Sequence, residues 1–134
     1  PNTRLLPGCV ELLSFLKENG YKAGIVSTKP RFRIMDILRR RDIERLVDVV
    51  VGYEDVEHHK PHPAALRKAL DYLGAAEQDA IYVGDTVIDA EAARNAGVAF
   101  AAVTTGTTGK EDFAPYPCAA VYEDLFDLLR ALRS

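Results

Sequence analysis

The apolar residues along the chain follow two alternating patterns. Short continuous runs predict buried strands, at 21–27, 47–52, 80–84, 98–103 and 118–122. Apolar residues spaced three and four apart predict helices between these strands, at 7–20, 31–41, 63–73, 87–96 and from 123 onward. The runs lack the strict alternation of a strand with one wet face, which indicates a parallel sheet covered by helices on both sides. The predicted fold class is therefore α/β, with a doubly wound parallel sheet.

In several predicted helices, particular residues indicate where the helix begins or ends, or which of its faces is buried. Gly20 and Gly97 follow the first and fourth helices, where a glycine ends a helix without steric strain. Pro63 opens the third helix at a position whose N–H would need no partner. The strand at 118–122 is expected at an edge of the sheet. The inner face of the last helix is predicted to comprise four leucines, Leu125, Leu128, Leu129 and Leu132.

Composition narrows the range of partners. The chain has 134 residues, of which 48% are hydrophobic and 28% are charged, and its net charge is −3. That length suits one domain with one core, so residues 1–134 are assigned to a single core domain. With 17 Lys and Arg against 20 Asp and Glu, and with no basic arm, no nucleic-acid partner is expected. The apolar runs fall far short of the ~18 residues that a membrane span needs, so no membrane segment is expected.

The two cysteines, Cys9 and Cys118, lie near opposite ends of the chain and lack any metal-ligand spacing. We expect them to be small, buried free thiols in a reducing cytosol, which predicts a cytoplasmic protein. A disulfide that joins the two ends is the alternative.

Polar residues gather where the predicted strands end. Ser27 and Thr28 follow the first strand, Lys60 precedes the third helix, and Asp85 follows the third strand, with Asp89 four residues later. In a doubly wound sheet these positions share the rim outside the carboxyl ends of the strands, where ligands bind. Each has a plain alternative. The hydroxyls and the first acid can be helix caps, the second acid can favour the helix dipole, and the lysine can be an ordinary surface residue.

Taken together, these residue types suit phosphoryl transfer. Two carboxylates four residues apart can turn toward one Mg²⁺ ion, which binds one or two carboxylates together with water and a substrate phosphate. A hydroxyl and free N–H groups at a helix N-terminus bind phosphate oxygens, and a lysine neutralises the anionic substrate. The rim is therefore predicted to bind Mg²⁺ through Asp85 and Asp89, and phosphate through Ser27, Thr28 and Lys60.

Three motifs then resemble one family. In order along the chain they are VST at 26–28, KPHP at 60–63 and YVGDTVIDAEAARNAG at 82–97. They resemble the haloacid dehalogenase superfamily, particularly its phosphoglycolate-phosphatase-like branch. The resemblance implies that Ser27 hydrogen-bonds the transferring phosphoryl group and that Lys60 balances charge on that group and on the nucleophile. It also implies that Asp85 ligates Mg²⁺, directly or through water, and that Asp89 supports that shell; Lys60 and Asp85 are the implied catalytic residues.

The chain departs from the family at the family's first motif. That motif, a strand ending in DxDGT, supplies a nucleophilic and a general-acid aspartate, and no D-x-D occurs in this sequence. The resemblance implies that this strand lies at the centre of the sheet, between the strands that end at Ser27 and Asp85, and that a helical cap follows it. We therefore expect residues 1–134, which begin at Pro1 rather than at a Met, to be the portion after the cap. Such a portion is expected to be poorly stable, because strand edges stay unpaired. It is also expected to be unable to form an aspartyl-phosphate, because it lacks the nucleophilic aspartate.

The resemblance implies an enzyme, a Mg²⁺-dependent phosphatase that acts on a small phosphorylated metabolite through an aspartyl-phosphate, with the nucleophile outside these residues. Pyrophosphatase, phosphonatase and phosphomutase activities stay open because the cap that selects substrates is missing. A dehalogenase is disfavoured, since carbon–halogen displacement needs no metal-binding acid such as Asp85. A second class is a non-catalytic binding or regulatory module that kept the fold and lost the nucleophile. A receiver-like signalling domain also has acids at strand ends, but Ser27 and Lys60 fit it less well.

Two further patterns, a group of histidines and a stretch rich in Gly and Thr, give weaker signals. His58, His59 and His62 lie close together, but the prolines among them prevent the helical presentation that zinc helices use, so no metal site is expected there. The stretch TGTTGK at 105–110 lacks the spacing of a Walker A phosphate loop and is interpreted as a rim loop that can still touch substrate.

Overall fold

A computed structural model describes residues 6–105 and 108–134 of the chain. The helices of this part are α1 (Cys9–Glu18), α2 (Arg31–Arg40), α3 (Ala64–Leu73), α4 (Val87–Ala96) and α5 (Leu125–Arg133). The strands are β1 (Gly24–Val26), β2 (Val49–Val51), β3 (Ile81–Gly84), β4 (Ala99–Val103) and β5 (Ala120–Tyr122). Each predicted helix and strand is present. The strands are shorter than predicted, because only part of each apolar run pairs with a neighbouring strand.

The strand pairs of the described chain are all parallel. β1 pairs with β2, and Val26 lies beside Val51. β3 pairs with β4, where Gly84 lies beside Ala102, and β4 pairs with β5. The result is a two-stranded and a three-stranded sheet, in which β1 and β3 each have one neighbour. The α/β class with parallel strands is therefore confirmed, and the sheet is divided into two parts.

Helices cover both faces of the strands. On one face α1 and α5 pack together, and Leu128 and Val103 belong to one buried cluster there. On the other face α3 and α4 pack together, and Ala93 and Phe100 belong to a second buried cluster. Helix α3 also covers β1 and β2, so the two sheets share a helix layer. This is the doubly wound architecture that the sequence predicts.

Small side chains let α4 approach the sheet closely. The alanines at this contact are all at most 4% exposed, namely Ala90, Ala92, Ala93 and Ala96 of α4 and Ala102 of β4. A methyl group keeps the helix and strand backbones near each other, and a larger side chain there would cost roughly 1–3 kcal/mol through overpacking. The close packing holds the first turn of α4 against β3 and β4, and that turn carries Asp89.

Two apolar side chains are more exposed than the sequence predicts. Ile81 of β3 is predicted to be buried, but it is 54% exposed because β3 has a neighbour on one side only. Leu132 is predicted to lie on the inner face of α5, but it is 44% exposed because the buried cluster beneath that helix ends at Leu129. The open side of β3 matters for the site, since Asp85 directly follows that strand.

The cysteines are free thiols, as the sequence predicts, and the alternative of a disulfide between Cys9 and Cys118 is wrong. Both side chains are half-buried rather than fully buried. Burial raises the pKa of each thiol, which favours the protonated and unreactive form. Separately, none of the described helices has both the length and the apolar character needed to cross a membrane.

Candidate active site

Lys60 and Asp89 form the most buried ion pair of the described residues. Lys60 lies in the loop before α3, and Asp89 lies in the first turn of α4. Lys60 Nζ and Asp89 Oδ1 are 2.6 Å apart, and the two side chains are 12% and 8% exposed. Removing one partner of such a pair would leave an uncompensated buried charge. The fold thus joins two predicted site residues that are 29 positions apart in the sequence.

The Asp89 carboxylate is fully engaged by protein donors. Its Oδ1 atom accepts hydrogen bonds from Lys60 Nζ at 2.6 Å and from the Tyr82 hydroxyl at 3.1 Å. Its Oδ2 atom accepts from the Thr86 hydroxyl at 2.8 Å and from the Thr86 backbone N–H at 3.3 Å. Because each carboxylate oxygen has two lone pairs, these bonds use every acceptor position. In this arrangement Asp89 has no lone pair left for direct contact with a metal ion.

Thr86 is the residue that caps α4. Its hydroxyl accepts a hydrogen bond from the Asp89 backbone N–H at 3.1 Å. The Thr86 backbone N–H in turn donates to Oδ2 of the Asp89 side chain. This reciprocal pair is a capping box. The alternative that Asp85 caps this helix is wrong, because the cap lies one residue later. Asp89 is also a first-turn acid, so its favourable position near the helix dipole adds to its contact with Lys60.

The surroundings shift the pKa of both Asp89 and Tyr82. Burial alone would raise the pKa of Asp89, but the charge of Lys60 and hydrogen bonds from Lys60, Thr86 and Tyr82 lower it overall. The pKa of Tyr82 is raised, first by burial and then by the charge and hydrogen bond of Asp89. Asp89 is therefore the ionised partner of Lys60, while Tyr82 contributes a neutral hydroxyl.

Glycine at position 84 lets β3 end against the Asp89 side chain. A Cβ atom on Gly84 would lie 2.5 Å from Asp89 Cβ and 2.7 Å from Asp89 Oδ2. Any larger residue would displace the carboxylate, so this close approach requires a glycine. The Gly-Asp-Thr-x-x-Asp sequence is one structural unit. Gly84 makes the room that the Asp89 carboxylate occupies, and Thr86 holds it there.

Asp85 is the free carboxylate of this cluster. It directly follows β3 and is half-buried. The hydrogen bonds and ion pairs within 6–105 and 108–134 include none to its side chain. One free carboxylate fits Mg²⁺, which takes most of its ligands from water and substrate oxygens. Among the described residues no group of three His, Cys, Asp or Glu side chains is arranged to hold a metal ion, so a Mg²⁺ ion here would depend on Asp85, water and substrate.

Ser27 lies at the carboxyl end of β1, but it does not cap the helix that follows. Its hydroxyl accepts a hydrogen bond from the Lys29 N–H at 3.1 Å, and its own N–H donates to the Val51 carbonyl at 2.9 Å. The residue before α2 is Pro30, which offers no side-chain cap. The alternative that Ser27 and Thr28 cap α2 is therefore wrong. Thr28 is exposed beside this turn.

Glu54, which the sequence analysis did not single out, caps α2 instead. Its Oε1 atom accepts a hydrogen bond from the Arg31 N–H at 3.0 Å, and this bond lowers the pKa of Glu54. The two residues are 23 positions apart, so no local pattern signals the contact. It forms because β1 and β2 are neighbours and their following loops meet.

The loops after β1 and β2 are fastened together around Gly52. The Tyr53 N–H donates to the Lys29 carbonyl at 2.9 Å, and the Arg31 and Asp55 side chains are 3.2 Å apart. A Cβ atom on Gly52 would lie 2.6 Å from the Arg31 backbone nitrogen. These contacts hold the turn after β1 in place.

Replacing Gly52 is expected to disturb this junction. We expect Gly52→Ala to lower the free energy of unfolding by about 1–3 kcal/mol, because the new methyl group meets the Arg31 backbone, which cannot rotate away. Urea unfolding measures the loss. The control is Gly109→Ala, whose methyl group would meet only the flexible end of Glu111 at 3.2 Å and should change stability by less than about 0.5 kcal/mol. Equal losses in the two variants would contradict the close approach at Gly52.

The structure places the predicted site residues in two groups. Lys60 contacts Asp89, and Asp85 immediately precedes the residue that caps α4. Ser27 and Thr28 lie at the end of the other sheet, and no hydrogen bond of the described chain joins them to the first group. Both groups follow the carboxyl ends of parallel strands, β1 and β3.

The three histidines pack as aromatic rings near Lys60. The rings of His58 and His62 stack at 4.7 Å, and His59 stacks on Tyr53 at 4.1 Å. In the described ranges they form no group of three metal-ligand side chains. The predicted rim loop at 105–110 includes positions 106 and 107, which lie outside the described residues.

Known proteins are similar to this chain in sequence and in fold. A family model described as haloacid dehalogenase-like hydrolase matches residues 1–103. The chain belongs to the haloacid dehalogenase-like hydrolase family. The pyrophosphatase PpaX of Bacillus cereus (strain AH820) is 40% identical over 122 residues, which make up 91% of this chain and 56% of that protein.

Solved structures of this hydrolase family superpose closely. A candidate haloacid dehalogenase-like hydrolase from Bacteroides fragilis has a TM-score of 0.90 and 42% identity, over 95% of this chain and 60% of that one. A predicted phosphoglycolate phosphatase from Haemophilus somnus 129pt has a TM-score of 0.86 and 29% identity, over 98% of this chain and 59% of that one. The resemblance inferred from the three motifs is confirmed, and the chain spans little more than half the length of the curated relatives that it matches.

Proposed function

We propose that this haloacid dehalogenase-like chain forms most of the active site of a Mg²⁺-dependent phosphatase that acts on a small phosphorylated metabolite. The observation that carries the proposal is the buried pair of Lys60 and Asp89 beside the free carboxylate of Asp85 at the end of β3. A fixed cation and a free acid supply the two charges that an anionic phosphate and its metal ion require. Membership of a hydrolase family supports the reaction class.

The residues that would bind phosphate and metal lie in three loops, which follow β1, β2 and β3. Ser27 and Thr28 would bind phosphate oxygens through their hydroxyl groups, at the carboxyl end of β1. Lys60 would bind the phosphoryl group with the one ammonium hydrogen that its protein partners leave free, while Asp89 holds that ammonium group. Asp85 would hold Mg²⁺, which when bound stabilises negative charge on the transferring phosphoryl group.

We propose that the nucleophile is an aspartate outside residues 1–134, on a strand that pairs with β1 and β3. Each of these strands has one neighbour, and Ile81 of β3 is 54% exposed. A parallel strand between them would satisfy both backbone edges and would end between Ser27 and Asp85. A carboxylate oxygen from that strand would attack phosphorus as the bond to the leaving oxygen breaks, and water would then hydrolyse the aspartyl-phosphate. Residues 1–134 are then an incomplete core domain.

A pyrophosphatase is the second candidate. It is favoured by the 40% identity to PpaX, a pyrophosphatase. Pyrophosphate and a phosphate monoester present the same kind of terminal phosphoryl group and differ in the leaving group. Ser27, Lys60 and Asp85 therefore suit both substrates, and the choice depends on groups that contact the leaving group.

Charge and cysteine chemistry support a cytoplasmic metabolic enzyme. The net charge of −3, with 17 basic against 20 acidic residues, favours a small substrate over a nucleic acid. The free thiols of Cys9 and Cys118 suit a reducing compartment.

Phosphate release tests the proposal directly. We expect the product of the natural reading frame that contains these residues to release inorganic phosphate from phosphoglycolate, p-nitrophenyl phosphate or pyrophosphate, with Mg²⁺ present. The chelator EDTA should abolish the release, because it removes the Mg²⁺ that stabilises negative charge on the transferring phosphoryl group. Comparing kcat/KM for pyrophosphate and the monoesters separates the two candidates. Residues 1–134 alone should be inactive.

Two results would contradict the proposal. Mg²⁺-dependent hydrolysis by residues 1–134 alone would show that the nucleophile lies within them. A reading frame with no strand ending in DxDGT, whose product turns over none of these substrates, would favour the non-catalytic binding module.

A further inference from the structure

We propose that Tyr82 is a positioning residue that fixes the Lys60 ammonium group for phosphate binding, an inference that rests on the proposed function of the site. Tyr82 lies within β3, and from this position alone its side chain would be expected simply to pack against the helices. Its hydroxyl instead completes a triangle of polar atoms. Tyr82 Oη is 3.0 Å from Lys60 Nζ and 3.1 Å from Asp89 Oδ1, and those two atoms are 2.6 Å apart.

The chemistry of the three groups fixes the direction of each hydrogen bond. A protonated Lys60 only donates, and an ionised Asp89 only accepts. The Tyr82 hydroxyl must therefore accept from Lys60 and donate its single proton to Asp89. Lys60 Nζ uses two of its three hydrogens within the fold, and the third remains for an external acceptor. Without the hydroxyl, a single contact to Asp89 would hold the ammonium group, which could then turn about it.

The Tyr82 ring is held by an aromatic row that belongs to the core. Tyr82 lies beside Phe100 in the register of β3 and β4, with ring centroids 6.2 Å apart, and Phe100 lies 6.0 Å from Phe113. Phe100 and Phe113 are each 1% exposed. The position of the hydroxyl is therefore set by close-packed strands rather than by a loop.

Lys60, by contrast, needs an external restraint. It lies in the loop before α3, and its flexible four-carbon stem carries a compact charge. Tyr82 thus gives the Lys60 ammonium group a second contact, from the core, at the point where its charge is needed. An ammonium group held in this way stabilises developing charge without reorganising first.

Tyr82→Phe removes the hydroxyl and keeps the ring. Tyr116→Phe is the matched control, because the Tyr116 hydroxyl also donates to a carboxylate, that of Glu91, at 3.0 Å. Arg94 also lies over the Tyr116 ring, at 5.4 Å from its centroid. No hydrogen bond in the described chain joins Tyr116 to Lys60.

Two measurements on the full natural protein test the role. The first is hydrogen exchange of the Lys60 ammonium group by ¹⁵N–¹H NMR, with the signal identified by its loss in Lys60→Met. We expect Tyr82→Phe to speed this exchange several-fold and Tyr116→Phe to leave it unchanged. The second is steady-state kinetics. Tyr82→Phe should lower kcat about tenfold with KM changed less than about twofold, and Tyr116→Phe should change both less than about twofold.

Unchanged ammonium exchange in Tyr82→Phe, or equal kcat losses in the two variants, would overturn the proposal. If the wild-type protein hydrolyses no phosphate ester or anhydride, the proposed function fails. The ammonium exchange would still decide whether Tyr82 holds Lys60.

Discussion

Replacing Asp85 with asparagine is expected to lower kcat/KM for Mg²⁺-dependent hydrolysis about a thousandfold, which corresponds to about 4 kcal/mol of transition-state stabilisation. The amide carries no charge and therefore attracts Mg²⁺ much less strongly than the carboxylate does. Asp85 is half-buried, and the described chain offers its side chain no hydrogen bond or ion pair. The fold should therefore tolerate the change, and the melting temperature should move by no more than about 2–4 °C.

The control for this prediction is Asp79→Asn. Asp79 lies in the turn before β3, is exposed, and takes no part in the cluster around Asp89. It should keep kcat/KM within about twofold of the wild type. A loss of less than about tenfold in Asp85→Asn, or an equal loss in the control, would show that Asp85 does not hold the metal ion.

Replacing Asp89 with asparagine is expected to lower the free energy of unfolding by about 3–5 kcal/mol. The variant leaves the charge of Lys60, whose side chain is 12% exposed, without its partner. The amide also offers a donor where the carboxylate accepts from the Thr86 cap. Urea or guanidinium unfolding followed by circular dichroism measures the change.

The direction of the Asp89 pKa gives this stabilisation a pH dependence. The pKa of Asp89 is lowered in the folded protein, relative to about 3.9 in an unfolded chain. The ionised carboxylate therefore contributes its full stability above about pH 4 and loses it as the pH falls through the lower folded-state pKa. The difference in unfolding free energy between wild type and Asp89→Asn should be largest near neutral pH and should shrink below about pH 4.

Asp36→Asn is the matched control for Asp89→Asn. Asp36 pairs with Arg40 at 2.7 Å, but both side chains are more than half exposed, at 59% and 69%. Its replacement should cost less than about 0.5 kcal/mol. Adding Lys60→Met to Asp89→Asn should recover part of the loss, because it removes the unpaired charge. A loss in Asp89→Asn no larger than that in Asp36→Asn would contradict the prediction.

The order and type of the elements could be predicted from local patterns. Apolar spacing placed α3, and glycines marked the ends of α1 and α4, because periodicity and helix ends depend on near neighbours. The exposure of Ile81 could not be predicted in this way. An apolar run predicts a strand, but the number of its neighbours depends on how the rest of the chain is arranged.

The candidate site was partly predictable for a similar reason. Lys60, Asp85 and Asp89 stand in motifs at the ends of predicted elements, so residue type and spacing were enough to single them out. Glu54 stands in no such motif, and Tyr82 begins the motif at 82–97 but lies inside a predicted buried strand, where nothing in the sequence indicates a polar role. Their contacts reach across 23 and 22 positions, to Arg31 and Lys60, and no periodicity of a helix or strand covers such distances.

Residue type at short spacing was enough to predict the α/β class and the parallel, doubly wound arrangement and to reveal the family motifs. Which side chains act as partners could be seen only in the folded chain. Within the described residues, Thr86, Lys60 and Tyr82 occupy the Asp89 carboxylate, and no hydrogen bond or ion pair engages the Asp85 side chain. A carboxylate has few acceptor positions, and which donors fill them depends on how helices and strands far apart in the sequence pack together.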